Sequence, residues 1–158
     1  MQLLRDAVRG LDARALIVGF GDYREELERM APPGTLFTGA LEHRHLVHLL
    51  PLTDVCVVPS IFPEAFGMVA AEAAAAGVPP LVARHSGLAE IAAGIESDYP
   101  AELRDLASFT DDLASKLRRL LELPGETRRE LGLDARRAVV KRWSWSSVAE
   151  RLLTLHLG

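Results

Sequence analysis

The 158-residue sequence holds a single cysteine, no excess of basic residues, and no apolar run near the ~20 residues needed to cross a bilayer. Each scarcity removes a class of protein. One cysteine cannot staple a secreted scaffold, and Cys56 lies in the apolar run Asp54 to Val58, where it reads as a small buried hydrophobe rather than a nucleophile. The N-terminal MQLLRDAVRG lacks the basic-then-apolar layout of a secretion signal, so the expected setting is reducing and cytoplasmic. A formal net charge of -4 and a pI near 5.7 give no general reason to expect nucleic acid or an anionic membrane as partner. Lys116 to Arg142 is the exception, with nine Lys/Arg against four Asp/Glu. It reads as a solvated helical face, the alternative being contact with a membrane surface or an acidic partner.

What is present suits one folded domain over 1–158, because 49% apolar and 25% charged side chains at this length can bury a sizeable core. Residues 1–100 read as an α/β core. Ala15 to Val18, Thr35 to Thr38, Asp54 to Val58 and Pro80 to Ala83 have strand character, alternating with helical patterns at Tyr23 to Met30, Glu42 to Leu50 and Phe66 to Ala76. Alternation with short connections predicts a doubly wound parallel sheet with helices on both faces. Residues 101–158 read as helices only, over Thr110 to Leu123, Gly125 to Arg142 and Ser144 to Leu157. They are expected to pack back on the core through Trp143, Trp145, Val148, Leu152 and Leu155, with oxygen-bearing starts at Thr110 to Asp112 and at Ser144.

Chemistry concentrates in VVPSIFPEAFGMVAAEAAAAGVPPLV, residues 57 to 82: an apolar strand, a loop with two prolines, a glycine at a helix start, and an alanine-rich helix closed by a glycine. In an open α/β sheet, ligands bind outside the carboxyl ends of the strands. A helix beginning there aims unpaired N–H groups and a positive dipole end at them, and phosphate is the natural occupant. Gly67 has no Cβ to keep an anion from the backbone. Glu64 and Glu72 are eight positions apart, about 12 Å along a continuous helix, so they would serve different parts of an extended ligand. Glu72 is the one charge in MVAAEAAAA, which sets it apart from ordinary solvated decoration.

PEAFGMVAAEAAAAG resembles the E-x7-E region of retaining GT-B glycosyltransferases, the large group 1 family. IVGFGDYREELE, LFTGAL, DVCVVPS, HSGLAEI and the tail from LASKLRRLL through RWSWSSVAERLLTL are similar to successive segments of the same family, so the likeness covers nearly the whole chain. The resemblance implies a Rossmann-like, nucleotide-sugar-binding C-terminal half. By the same resemblance Glu72 would bind the ribose hydroxyls, and Glu64, the implied catalytic residue, would face the donor's sugar and phosphate end. The amides of Phe66, Gly67, Met68 and Val69 would hold the diphosphate. Gly39, Ala40 and Leu41 would lie near the base, Gly19 and Gly21 near the cleft floor, and Glu90 in the segment usually written G-G-x-x-E. The implied substrate is a nucleoside diphosphate sugar, in a hexosyltransferase-type reaction needing neither cofactor nor metal.

The likeness starts at the helix after the family's first strand and its loop, which bears an Arg and a Lys that clamp the diphosphate, so no residue here matches those two. The N-terminal acceptor-binding domain is likewise unmatched. The expectation is therefore a fragment, split subunit or degenerate copy that is inactive alone and works with a complementary chain. Where the first strand would lie, either the sheet closes up or another chain fills the place. His85-Ser86-Gly87 also departs from the family, which has two consecutive glycines there. The alternative function is a non-catalytic nucleotide-sugar-binding or assembly module. Gly19-Phe20-Gly21 lacks the third glycine of a dinucleotide fingerprint, because Arg24 stands there, and His43, His45 and His48 lack the further ligands of a metal site.

Overall fold

A computed structural model describes residues 13–157. Among the described residues, five parallel strands form two sheets. In the first, β1 (Leu16–Val18) pairs with β2 (Leu36–Gly39); in the second, β3 (Cys56–Val58), β4 (Pro80–Ala83) and β5 (Ser108–Phe109) lie in that order. Helices α1 (Arg24–Met30), α2 (His43–Leu49), α3 (Met68–Ala75) and α4 (Ser86–Glu96) follow the first four strands, and α5 (Leu113–Glu122), α6 (Gly125–Trp143) and α7 (Trp145–Leu157) close the chain. The alternation seen in the sequence is thus the fold's framework. Two elements were not legible: α4, and β5 inside the region expected to be helical.

The core belongs to the second sheet. All four residues of β4 are buried, as a strand covered on both faces requires, and Leu88, Ile91 and Ile95 of α4 pack with Leu113, Leu120 and Leu131 of α5 and α6. Alanine in α3 serves close approach: Ala70, Ala73 and Ala74 have no exposed surface, and a Cβ on Gly132 of α6 would lie 1.9 Å from the Gly77 carbonyl oxygen. Helix α3 ends as its closing glycine predicted. Gly77, at φ +81°, donates to Ala74 O, and Val78 donates to Ala73 O, a paired arrangement that satisfies the last carbonyls. Ser108, the buried polar residue at the sheet's edge, accepts from Arg84 at 2.8 Å and donates to Glu96 at 2.8 Å. Burial pushes the Cys56 thiol up to about 11, which suits an inert core side chain and not a nucleophile.

The first sheet is different. None of residues 13–57 is buried, and Val18, Phe20, Tyr23, Leu36, Val47 and Leu52 are exposed. β1 and β3 do not pair, so the sheet does not close up over the place of the family's first strand. At the other end, Ser144 caps α7 by accepting from the Ser147 N–H at 3.1 Å, as its position predicted. Trp143 packs against the core, but Trp145, Leu152 and Leu155 are exposed, contrary to the expectation that they are buried anchors. The reason is geometric: α7 turns away after its cap and packs on α6 rather than on the sheet.

Candidate functional site

The loop between β3 and α3 is fixed from beneath by the start of α4. Gly87 N–H donates to Glu64 O at 2.9 Å, and Glu64 N–H donates to Ser86 Oγ at 3.0 Å. His85 Nδ1 lies 3.0 Å from Ser86 Oγ, and its Nε2 lies 2.6 Å from Ser60 O. A neutral His85 with its proton on Nε2 satisfies the whole chain: Nε2–H donates to Ser60, while Ser86 donates to Nδ1 and accepts from Glu64. The approach is close enough that a Cβ on Gly87 would lie 2.5 Å from both Ala65 O and Phe66 N.

Ser86 explains the departure noted in the sequence. It has φ +48° and is the one non-glycine residue with positive φ among the described residues, so the backbone does hold the left-handed form that a glycine would adopt freely. That conformation costs a serine roughly 1–2 kcal/mol. The Oγ bond to Glu64 offsets about 1 kcal/mol of it. Ser86→Ala, which loses the bond and keeps the strain, is expected to be less stable than Ser86→Gly by about 1 kcal/mol. Denaturant titration distinguishes them, and equal stabilities would contradict this account of the loop.

At the top of the loop, Gly67 occupies the N-cap of α3 at φ +96°, with no side chain capping the helix. Ala70 and Ala71 direct their N–H groups to Gly67 O. The N–H groups of Phe66, Gly67, Met68 and Val69 donate to no protein acceptor among the described residues. Met68 and Val69 are exposed, so the positive end of the helix opens to solvent. Behind the tip, Phe66 meets Trp143 edge-on with ring centroids 5.7 Å apart, and Trp143 lies over Gly94 of α4. Helix α6 thereby supports the loop from the core side.

Glu72 is largely covered, with 26% of its side chain exposed, and its carboxylate points across to α2, where Oε1 lies 3.5 Å from His43 Nδ1. His43 opens α2, with Glu42 as its N-cap between it and Gly39, Ala40 and Leu41. The acid therefore meets the start of the helix that follows that loop. Gly19 N–H donates to Gly39 O at 2.9 Å, which joins the ends of β1 and β2, and Gly21 accepts from the Arg24 N–H at the start of α1. Glu64 makes backbone contacts only, and its carboxylate has no protein partner among the described residues. Arg84, two residues before Ser86, is engaged with Glu96 and Ser108.

Most of the residues singled out from the sequence lie beyond the carboxyl ends of β1, β2 and β3: Glu64, the Phe66 to Val69 amides and Glu72 on one loop-helix unit, Gly39 to Leu41 just before the helix whose His43 meets Glu72, and Gly19 and Gly21 after β1, with Gly19 bonded to Gly39. Glu90 is exposed on α4, and no contact ties it to the others. His43 and His85 were missed as parts of this arrangement. His43 is 29 positions from Glu72, so no spacing rule connects them, whereas His85 adjoins the noted Ser86 and could have been read with it. A concavity of about 380 Å³ lined by Pro100, Leu103, Glu130 and Arg137 shares no residue with this group.

Comparison with known proteins places the chain. The family model for glycosyl transferases group 1 matches residues 1–122. The chain is 36% identical over 148 residues to a GDP-mannose-dependent alpha-(1-6)-phosphatidylinositol dimannoside mannosyltransferase of Mycobacterium tuberculosis, covering 92% of this chain and 36% of the relative. It is 34% identical over 124 residues to a glycogen synthase of the same species, covering 78% of this chain and 28% of that protein. The chain thus spans about a third of the length of these relatives. The structure of sucrose-phosphate synthase from Thermosynechococcus elongatus superimposes with a TM-score of 0.77 at 23% identity, over 98% of this chain and 41% of that one, and shares its fold. The doubly wound half expected from the alternating strands and helices is therefore of the GT-B kind. With the family model spanning more than three quarters of its residues, the chain belongs to the glycosyl transferases group 1 family.

Proposed function

We propose that this chain is the donor-binding half of a retaining glycosyltransferase, which in the complete enzyme moves a sugar from a nucleoside diphosphate to an acceptor hydroxyl. One observation carries the reading: the amides of Phe66 to Val69, which have no protein acceptor among the described residues, open α3 about one to two turns before a carboxylate that meets His43 at the start of the helix after β2. The amides and the helix dipole suit a diphosphate, whose charge grows as it leaves. Glu72, an acceptor-only group, suits vicinal hydroxyls of a pentose, and the Gly39 to Leu41 loop, which leads into the helix whose His43 meets Glu72, suits a base. Glu64, next to the tip with a free carboxylate, would take the glycosyl hydroxyls. Glu90, exposed and without contact to the group, enters this reading only through the family resemblance.

By itself the chain would bind the donor without transferring its sugar, since the acceptor site and the two cations that the family places on the diphosphate would come from a complementary part. The direct test is a thermal-shift panel of UDP-, GDP- and ADP-sugars, paired with an assay for donor hydrolysis. At 100 times Kd, a donor that binds only the folded state adds about 2.7 kcal/mol of stability. One nucleotide-sugar class is expected to raise Tm with no turnover until the complementary half is added. No shift with any of the three would remove the proposal. A shift together with no transfer even after that addition would favour the non-catalytic binding module instead.

A further inference from the structure

Two arginines stand beside the loop after β2, and they are not equivalent. Arg44, in the first turn of α2, is gripped by Glu42: its Nε lies 2.8 Å from one carboxylate oxygen, and its Nη2 donates to the other at 3.2 Å. That fork is spent on its own neighbour. Arg24, which opens α1, is held by one nitrogen only. Its backbone N–H donates to Gly21 O at 3.1 Å, and its Nε donates to Glu28 Oε1 at 2.7 Å, one turn further along the helix. Its Nη1 and Nη2 have no protein acceptor among the described residues.

The free end of Arg24 lies over the end of β2. Gly39 closes that strand at φ +74°, and a Cβ on it would lie 3.3 Å from Arg24 Nη1. Gly19 N–H donates to Gly39 O at 2.9 Å, so the strand ends that carry the arginine's helix and the glycine are tied together. Glu28 fixes the guanidinium from the side of α1, and glycine leaves it room on the side of β2.

A guanidinium with two uncommitted nitrogens has a definite preference. Its parallel N–H groups match two acceptors set side by side, and it offers no acceptor in return. Guanine presents such a pair in O6 and N7, whereas adenine sets an amino donor beside its N7 and would place donor against donor. We propose that Arg24 reads the base of the donor and selects guanine, with Nη1 and Nη2 donating to O6 and N7. This rests on the donor reading, which sets the base at Gly39 to Leu41, and it deepens that reading by naming the base.

The test is calorimetry on the full chain with GDP, 7-deazaguanosine diphosphate, ADP and UDP. Removing N7 deletes one of the two acceptors and leaves the diphosphate and pentose as they were. The parent chain should bind the 7-deaza compound about tenfold more weakly than GDP, and ADP more weakly still. In Arg24→Ala, GDP affinity should fall by about tenfold, ADP affinity should stay the same, and the difference between GDP and its 7-deaza form should vanish. Arg24→Lys keeps the charge but not the fork, so it should not restore that difference. The Arg24–Glu28 pair is exposed and contributes little to folding, and if a variant fails to fold, the parent's own preference decides. Equal affinity of the parent for GDP and the 7-deaza compound would overturn the proposal, as would tighter binding of ADP or UDP than of GDP. A loss in Arg24→Ala shared equally by GDP and ADP would also overturn it and mark Arg24 as a phosphate contact. These results leave the donor reading standing, whereas binding of none of the four nucleotides would remove both.

Discussion

Glu72→Ala is expected to weaken binding of the nucleoside diphosphate sugar by about tenfold to a hundredfold, measured by calorimetry. Hydrogen bonds to a charged group contribute roughly 1.5–3 kcal/mol, and each 1.4 kcal/mol is a factor of ten. Stability should change little, within about 0.5 kcal/mol, for two reasons. Among the described residues the one protein partner of the carboxylate is His43, which is 69% exposed, and such pairs contribute little to folding. Alanine is also the best helix former, and its neighbours in α3 are already alanines. A lone glutamate on a helix whose packing asks for none is better explained by a ligand than by the fold. Unchanged affinity in a folded variant would break the link between Glu72 and the pentose.

Gly67→Ala is expected to cost both stability and binding. At φ +96° an alanine pays about 1–2 kcal/mol for the left-handed backbone. Its Cβ would also fall 2.6 Å from Leu88 Cδ2, on a side chain with no exposed surface, and overpacking of that kind costs about 1–3 kcal/mol more. The sum is about 2–5 kcal/mol, to be read from chemical denaturation. Relief of the clash would shift the tip and spread its four amides, so donor binding should fall as well. Gly21→Ala is the control, because that glycine is exposed, has no positive φ, and has nothing within 4 Å of an added Cβ. Its stability should stay within about 0.5 kcal/mol of the parent. Equal stability of the two variants would show that the Gly67 geometry is not what holds the tip.

Two glycines show how far the sequence could be read. Gly67 and Gly77 bracket an alanine-rich helix, and from those letters alone the helix, its start, its closure and its ligand-facing end could be placed, because each rests on local backbone chemistry. What was not legible depends on distant contacts. Helix α4 begins in His85-Ser86-Gly87 and carries glycines at 87 and 94, so its composition argues against a helix; yet both glycines are needed, one where the 65–66 backbone passes and one beneath Trp143. Strand β5 is two residues long, too short for any periodicity, and exists because β4 offers an edge. Trp145 looked like an anchor because tryptophan usually is one, but its burial depends on where α7 turns after Ser144. The facing of Glu72 and His43 is likewise a product of the fold. Glu72 could be singled out as an unusual charge, whereas its partner could be found only by placing α2 against α3.

Ion pairing at the back of the domain supports this geometry at a distance from it. Arg142 near the end of α6 grips Asp98 just beyond α4, with contacts of 3.0 and 3.2 Å, and holds the Asp98 carboxyl below the usual range. A depressed carboxyl pKa contributes stability above the unfolded value that is lost as pH falls through the folded value. The α4–α6 contact, which also seats Trp143 behind Phe66, is accordingly an acid-sensitive part of the support.

The central claim is that the amides of Phe66 to Val69 receive a diphosphate while Glu72 holds the attached pentose. It is tested most directly by following backbone amide resonances of the chain as UDP, GDP and ADP are added in turn. The account requires that at least one of the three move the amides of Phe66, Gly67, Met68 and Val69 together with those around Glu72 and Gly39 to Leu41, at one common affinity. A nucleotide that binds while those amides stay still, or none that binds at all, would contradict it.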